Sequence, residues 1–407
     1  MTSPDGLAPP PPALRRVLGT PLLALYGIGV IVGAGIYVLV GAVIGEAGSL
    51  APWSFVLAGI LAGLTGLSYA ELAVRFPEAA GAAAYVKEAF GSDRLSRVAG
   101  FAVAAVVVVS TASIARGSIG YVQVFASVPG LLIAGGIVAL FTLVACLGVR
   151  ESVGVGAAMT LIELGGLLLV IAAGAPGLLS LPDRVDELMP WPAGWASIGV
   201  GAFLAFFAFI GFENLANMAE EARAPERSLP RAILLSLGIC TLLYVVIAVV
   251  VVLTLRPDTA TVSQTPLLDV TARAGWFSSE AFAGVAIVAI VNGVLLELIM
   301  LGRLLFGMAR RGWLPAGLGA TTSRRRTPAL ATLLGGGIVL GVTLAVPFAS
   351  LVAATSTITL LVFAGVNLAL WRLQQSRPRS EGFRIPRLVP PLAAVSNLLL
   401  AAAPLLD

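Results

Sequence analysis

A chain of 407 residues that is 58% hydrophobic and only 11% charged carries too much continuous apolar sequence for a soluble protein of its length, and it reads as a polytopic membrane protein. The absence of any histidine removes histidine proton relays, most zinc sites and Ser/His/Asp catalysis together. The formal charge of +4 follows from where loop arginines sit and says nothing of nucleic acid, while Cys146 and Cys240 fall in apolar stretches and imply neither a disulfide framework nor a metal site.

In chain order, residues 1–19, with Pro4 and the run Pro9 to Pro12, lack the apolar core and cleavage site of a signal peptide and read as a disordered cytoplasmic tail. Eleven apolar spans follow, near residues 20–43, 51–74, 98–125, 131–148, 154–178, 197–219, 231–255, 281–309, 328–347, 350–372 and 388–405. With the N-terminus inside, only Arg184, Arg256 and Arg273 lie outside and only Arg116 and Arg303 lie within spans. The other Lys and Arg residues are all cytoplasmic, as the retention of basic residues on that side requires.

Span one is interrupted at Gly33-Ala34-Gly35 and span six around Gly211-Phe212-Glu213. Glycine inside a helix costs about 1 kcal/mol against alanine, and in lipid the freed backbone groups must find partners. Paired interruptions in corresponding halves predict a solute site at the bilayer midplane, where half-helix N-termini face anions and unwound carbonyls face cations. The amides of Ala34, Gly35 and Ile36 are placed to hold a carboxylate, Gly33 leaves room for its approach, and the Ile31 carbonyl can accept from an ammonium group. The alternative is that Gly29 and Gly33, or Gly41 and Gly45, are helix-packing glycines.

Four ionisable residues fall well inside spans, away from their ends: Arg116, Glu163, Glu213 and Glu297. Each costs several kcal/mol if unpaired in lipid, so each is a candidate for proton coupling or for mutual neutralisation, with one or more of the glutamates offsetting Arg116. Glu213, directly after the second break, is the first choice for a proton-responsive group. Glu71 and Glu220-Glu221 lie nearer the cytoplasmic ends and suit a cap or gate. Thr355, Ser356, Thr357 and Asn292 either line a pathway or bond to helices.

Four ordered motifs carry a resemblance: Gly27-Ile-Gly-Val-Ile-Val-Gly-Ala-Gly-Ile-Tyr37; Gly66-Leu-Ser-Tyr-Ala-Glu-Leu72 with Pro77 and Gly81; Phe207-Ala-Phe-Ile-Gly-Phe-Glu213 with Pro225 and Pro230; and Arg303-Leu-Leu-Phe-Gly-Met-Ala-Arg-Arg-Gly-Trp-Leu-Pro315. From about Leu14 to the end of span ten, the chain resembles the amino acid permeases of the amino acid, polyamine and organocation transporter superfamily. The resemblance implies an all-α, leucine transporter-like fold. Its expected parts are one five-helix repeat over 20–178, an inverted repeat over 197–372, and a loop with an eleventh helix over 373–407. Relatives commonly have a twelfth span. This chain stops after the eleventh span at Asp407, so its C-terminus is expected outside and a dimer contact made by a twelfth span cannot simply be carried over.

The resemblance further implies that Phe207 closes over the substrate and that the carbonyls of Phe207 and Ile210 share the ammonium with Ile31. Sodium-coupled members complete their ion site with hydroxyls from span eight, and residues 281–310 contain neither serine nor threonine. Some proton-coupled relatives place a lysine in span five, about where this chain has Glu163.

The expected function is secondary active transport of an amino acid across the cytoplasmic membrane by alternating access, coupled to protons rather than sodium. No cofactor is implied, and a membrane-embedded enzyme is disfavoured because no intramembrane Asp pair, metal cluster or Gly-x-Ser-x-Gly elbow is present. A pocket of small residues, Phe207 and backbone favours a neutral substrate unless Glu213 or Glu297 points into it. The alternatives are a cationic amino acid or polyamine exchanger, and a transporter-like sensor or channel.

Overall fold

The computed structural model describes residues 18–33, 35–77, 81–147, 153–189, 194–219, 222–255, 263–321, 327–377 and 382–405. Residues 1–17 of the expected tail, Ala34, Arg150, Glu220, Glu221, Arg256, Arg324 to Arg326 and Arg379 lie outside them.

The first span is two helices, α1 (Thr20–Val32) and α2 (Gly35–Ala47), and the second is α3 (Ala51–Arg75). A short α4 (Ala82–Phe90) leads into α5 (Asp93–Gly117), α6 (Gly130–Leu147) and α7 (Val153–Ala173). The second half begins with α8 (Trp195–Ala205) and continues through α9 (Pro225–Thr254), short α10 (Pro266–Ala274) and α11 (Ser279–Arg310). Then come α12 (Ala329–Ala345), α13 (Phe348–Ser376) and α14 (Val389–Ala402). Boundaries have local causes. Ser92 and Ser278 cap α5 and α11 by accepting from the amides of Leu95 and Ala281, and left-handed Gly91 and Gly275 stop α4 and α10. Among the described residues, seven helical segments are long and apolar enough to cross a membrane, beside four shorter apolar helices.

The two halves are related. Exchanging α1/α2 with α8, α3 with α9, α4 with α10, α5 with α11, α6 with α12 and α7 with α13 carries neighbours onto neighbours. Thus α1 packs on α9 as α8 packs on α3, α5 on α13 as α11 on α7, and α4 on α13 as α10 on α7. Five spans per half make the second run opposite to the first, which is an inverted repeat. The helices at the edges of this arrangement turn leucine outward: Leu132, Leu140 and Leu143 on α6, and Leu330, Leu333 and Ile338 on α12 are exposed. In water such faces would drive association; in a bilayer they are the lipid contact.

Buried polar groups fix the inner helices to one another. Asn367 on α13 and Asn397 on α14 both donate to Thr65 Oγ1 on α3, at 3.1 and 3.0 Å. Glu71 is fully buried and accepts from Arg75 Nε and Nη2 at 2.9 and 2.6 Å, from Gln374 Nε2 at 2.9 Å and from the Ile385 amide at 2.8 Å. It therefore ties α3 to α13 and to the segment entering α14. Glu71→Gln keeps the shape but loses the charge, and is expected to lower stability by about 2 kcal/mol. Thermal unfolding of the purified variant in detergent checks this, and an unchanged midpoint would remove the node from the stability argument.

Candidate functional site

The first interruption lies where the glycines put it. Gly33 closes α1 by donating to the Gly29 carbonyl at 3.1 Å and leaves the helix with φ 15° and ψ −139°, and α2 restarts at Gly35. The two readings of the glycines divide by position. A Cβ on Gly29 would collide with Thr160 of α7, so Gly29 is a packing residue. Gly33 has only its own helix carbonyls nearby and belongs to the break.

The second interruption is longer than the three residues expected around Gly211-Phe212-Glu213. From Phe206 the chain tightens to 3-10 turns through Phe209, becomes extended at Ile210, passes Gly211 at φ 125°, and continues as 3-10 turns over Phe212–Met218. The two breaks touch. A Cβ on Gly211 would lie 2.8 Å from the Val30 carbonyl oxygen, and one on Gly35 would lie 2.8 Å from the Ala208 Cα. Glycine at these two places lets two backbones meet in the middle of the bundle.

Tyr244 of α9, unremarked in the sequence, holds the junction. Its hydroxyl lies 2.8 Å from the Ile31 carbonyl and 3.0 Å from the Ala208 carbonyl, so one proton is shared between the unwound ends of both broken helices. Ile31 is thus already engaged, with one lone pair left. The Phe207 carbonyl likewise accepts the Ile210 amide at 3.2 Å. Gly35 and Ile36 open α2, where amides have no intrahelical acceptor.

A cavity of about 480 Å³ adjoins the junction. Ile31, Gly33, Gly35, Phe207, Ile210 and Glu213 line it, as do Glu297 and Arg303, whereas the Ile36 side chain is fully buried outside it. Of the run Phe203, Phe206, Phe207, Phe209 and Phe212, Phe207 alone lines the cavity; Phe206 packs edge-on to Phe363, Phe212 to Tyr69 and Phe209 to Tyr244. Tyr69, Ser110, Asn214, Thr359 and Phe363 complete the wall and were not singled out by sequence. Thr355 bonds back to the Leu351 carbonyl instead, at 2.9 Å. The mouth lies beside Tyr26 and Arg303, both exposed, and near Gly81 to Ala83 at the start of α4.

The intramembrane charges take separate partners. Glu213 Oε2 accepts the Gly211 amide at 2.8 Å and so caps the second break. Glu163, 1% exposed, accepts from Asn292 Nδ2 at 3.2 Å through one oxygen, and its other oxygen is unpartnered among the described residues. Its backbone carbonyl accepts the Tyr37 hydroxyl at 2.7 Å, which links α7 to α2. Glu297 accepts from Ser110 and Thr111 of α5 at 2.7 to 2.8 Å.

Neutralisation of Arg116 by a glutamate is corrected: Arg116 sits in the last turn of α5. It donates to the carbonyls of Thr343 and Leu344, at 2.7 and 3.3 Å, at the C-terminal end of α12. That end carries unpaired carbonyls and the negative pole of the helix, so a guanidinium there is satisfied without a carboxylate.

Comparison with known proteins agrees with this architecture. The family described as "Amino acid permease" matches residues 18–407. The chain is 30% identical over 398 residues to "Cationic amino acid transporter 4, vacuolar" of Arabidopsis thaliana, covering 90% of this chain and 65% of that one. It is 28% identical over 414 residues to "Branched-chain amino acid permease BcaP" of Bacillus subtilis (strain 168), covering 95% of this chain and 88% of that one. Against the plant relatives the chain spans slightly less than two thirds of their length. Among solved structures, MhsT in complex with L-phenylalanine aligns with a TM-score of 0.64 at 15% identity, over 95% of this chain and 99% of that chain, which is a likeness of fold.

Proposed function

We propose, from the premise that the chain belongs to the amino acid permease family, that it carries a free α-amino acid across the cytoplasmic membrane by alternating access. The observation that carries this reading is the contact between two broken helices at the end of a cavity. The amides opening α2 offer donors to a carboxylate, and the remaining lone pairs of the Ile31, Phe207 and Ile210 carbonyls offer acceptors to an ammonium group. Such a site recognises the zwitterion common to all amino acids and leaves the side chain to the cavity wall. The halves 20–178 and 197–372 are the moving parts in this reading, with 373–407 appended. With the basic loops taken as cytoplasmic, the mouth beside Tyr26 and Arg303 faces the cytoplasm in this reading, which corresponds to an inward-open state.

Protons are the proposed coupling ion. Helix α11 offers no hydroxyl to a sodium ion between Ala281 and Arg310, whereas Glu213 sits on the cavity wall and caps the second break. Protonation of Glu213 would weaken its acceptance of the Gly211 amide and loosen the break, linking proton occupancy to helix geometry.

Uptake of labelled amino acids into proteoliposomes is expected to be concentrative under an imposed pH gradient and indifferent to a sodium gradient. Sodium-driven uptake would overturn the coupling, and saturable binding without flux would make the protein a sensor. In Glu213→Gln the pH dependence of uptake is expected to flatten; a wild-type profile in this variant would take Glu213 out of the coupling.

A further inference from the structure

Resting on the reading of an amino acid carrier, we propose that Glu297, held by Ser110 and Thr111, is a distal subsite that receives the cationic end of the substrate's side chain. The expectation of a neutral substrate depended on the cavity having no fixed anion, and its wall holds two carboxylates, Glu213 and Glu297. They are not equivalent. Glu213 lies within the broken helix and accepts the Gly211 amide through Oε2, so it holds the geometry of the second break. Glu297 projects from the intact helix α11, on the stripe that also brings Asn292, Gly293, Leu296, Met300 and Arg303 to the cavity.

Its position suits a long side chain. Asn292 marks the level of the junction, because it bonds Glu163, whose carbonyl is held by Tyr37 just beyond the first break. Asn292 and Glu297 are five residues apart on one helix, about 7.5 Å along the axis, which matches the reach of a four-carbon stem ending in an amine or a three-carbon stem ending in a guanidinium.

The carboxylate is preorganised and lacks a cation. Ser110 Oγ lies 2.8 Å from both Glu297 oxygens and Thr111 Oγ1 2.7 Å from Oε2. Each hydroxyl has one proton and also lies near the Val107 carbonyl, so two hydroxyls cannot fill the roughly four acceptor positions of a carboxylate. Glu297 has no part in the ion pairs of Arg75 with Glu71, Lys87 with Asp93, Arg184 with Glu187 or Arg377 with Glu88. The cation lining the cavity, Arg303, stands about 9 Å further along α11 at the exposed mouth. A carboxylate fixed by hydroxyls on a cavity wall and lacking a basic neighbour is complementary to a charge that arrives with the substrate.

The test compares matched pairs that differ in the charged end, lysine against norleucine and arginine against citrulline, as competitors for uptake by the full chain in proteoliposomes. The wild type is expected to bind the charged member about tenfold more tightly, the scale of one charge-assisted hydrogen bond. Glu297→Gln is expected to erase that ratio by weakening lysine and arginine while norleucine and citrulline hold their affinity, and Glu297→Asp to retain part of it. Equal weakening of all four in Glu297→Gln, or a wild type that favours the neutral members, would overturn the subsite. So would a flattened pH profile with the lysine-to-norleucine ratio unchanged, which would make Glu297 a proton site. Failure of the underlying carrier reading looks different: then the wild type takes up none of the four, nor alanine or leucine.

Discussion

Gly211→Ala is expected to reduce uptake to background while leaving a chain that still inserts in the membrane. At φ 125° an L side chain is strained by about 1 to 3 kcal/mol. Space makes it worse, since the new Cβ would lie 2.8 Å from the Val30 carbonyl oxygen and 3.1 Å from its carbon. Those are backbone atoms of α1, which cannot rotate away, so the two broken helices must separate at their contact. The amide of residue 211 would turn with them and lose Glu213. Gly45→Ala is the control: nothing lies within 4 Å of its Cβ, and alanine inside a helix is favoured over glycine by up to about 1 kcal/mol. Uptake by proteoliposomes of both variants decides the matter, and wild-type transport by Gly211→Ala would show that the break does not have to keep this geometry.

Tyr244→Phe is expected to have the next largest effect. Removing one oxygen leaves the carbonyls of Ile31 and Ala208 without their shared donor in a fully buried place. Stranded buried acceptors cost about 1 to 3 kcal/mol each, so a loss on the order of 2 to 6 kcal/mol is expected in the unfolding of the purified protein. The phenyl ring would still fill the space beside Phe55 and Phe209, which confines the change to the hydrogen bonds. Uptake is expected to fall at least about tenfold, through the loss of a fixed relation between the two unwound ends. Full activity with a lowered melting point would reduce Tyr244 to a structural strut.

Much of this arrangement was legible in the sequence because lipid simplifies the rules. A span must be about 20 apolar residues long and must satisfy its own backbone, so Gly33 and Gly211 within spans one and six stood out as departures that need a partner. The glutamates stood out for the same reason. Their partners did not. Ser110 and Thr111 lie 187 and 186 residues from Glu297, and Tyr244 lies 213 from Ile31, so no periodicity or spacing joins them. Arg116 was misjudged on the same account: its partners are carbonyls at the end of another helix, a kind of acceptor every helix possesses and no sequence marks.

The order of spans, the places where two of them break and the presence of charge inside the membrane were thus determined by the sequence itself, since each is a local consequence of apolar length, glycine and the cost of burying an ionised group. Tertiary structure alone decided that the two breaks meet and share the Tyr244 hydroxyl. It decided equally that Glu213 and Glu297 stand on the wall of one chamber. Those relations arise when inverted halves pack against each other, and a contact across that interface depends on helix rotation and crossing that no single span encodes.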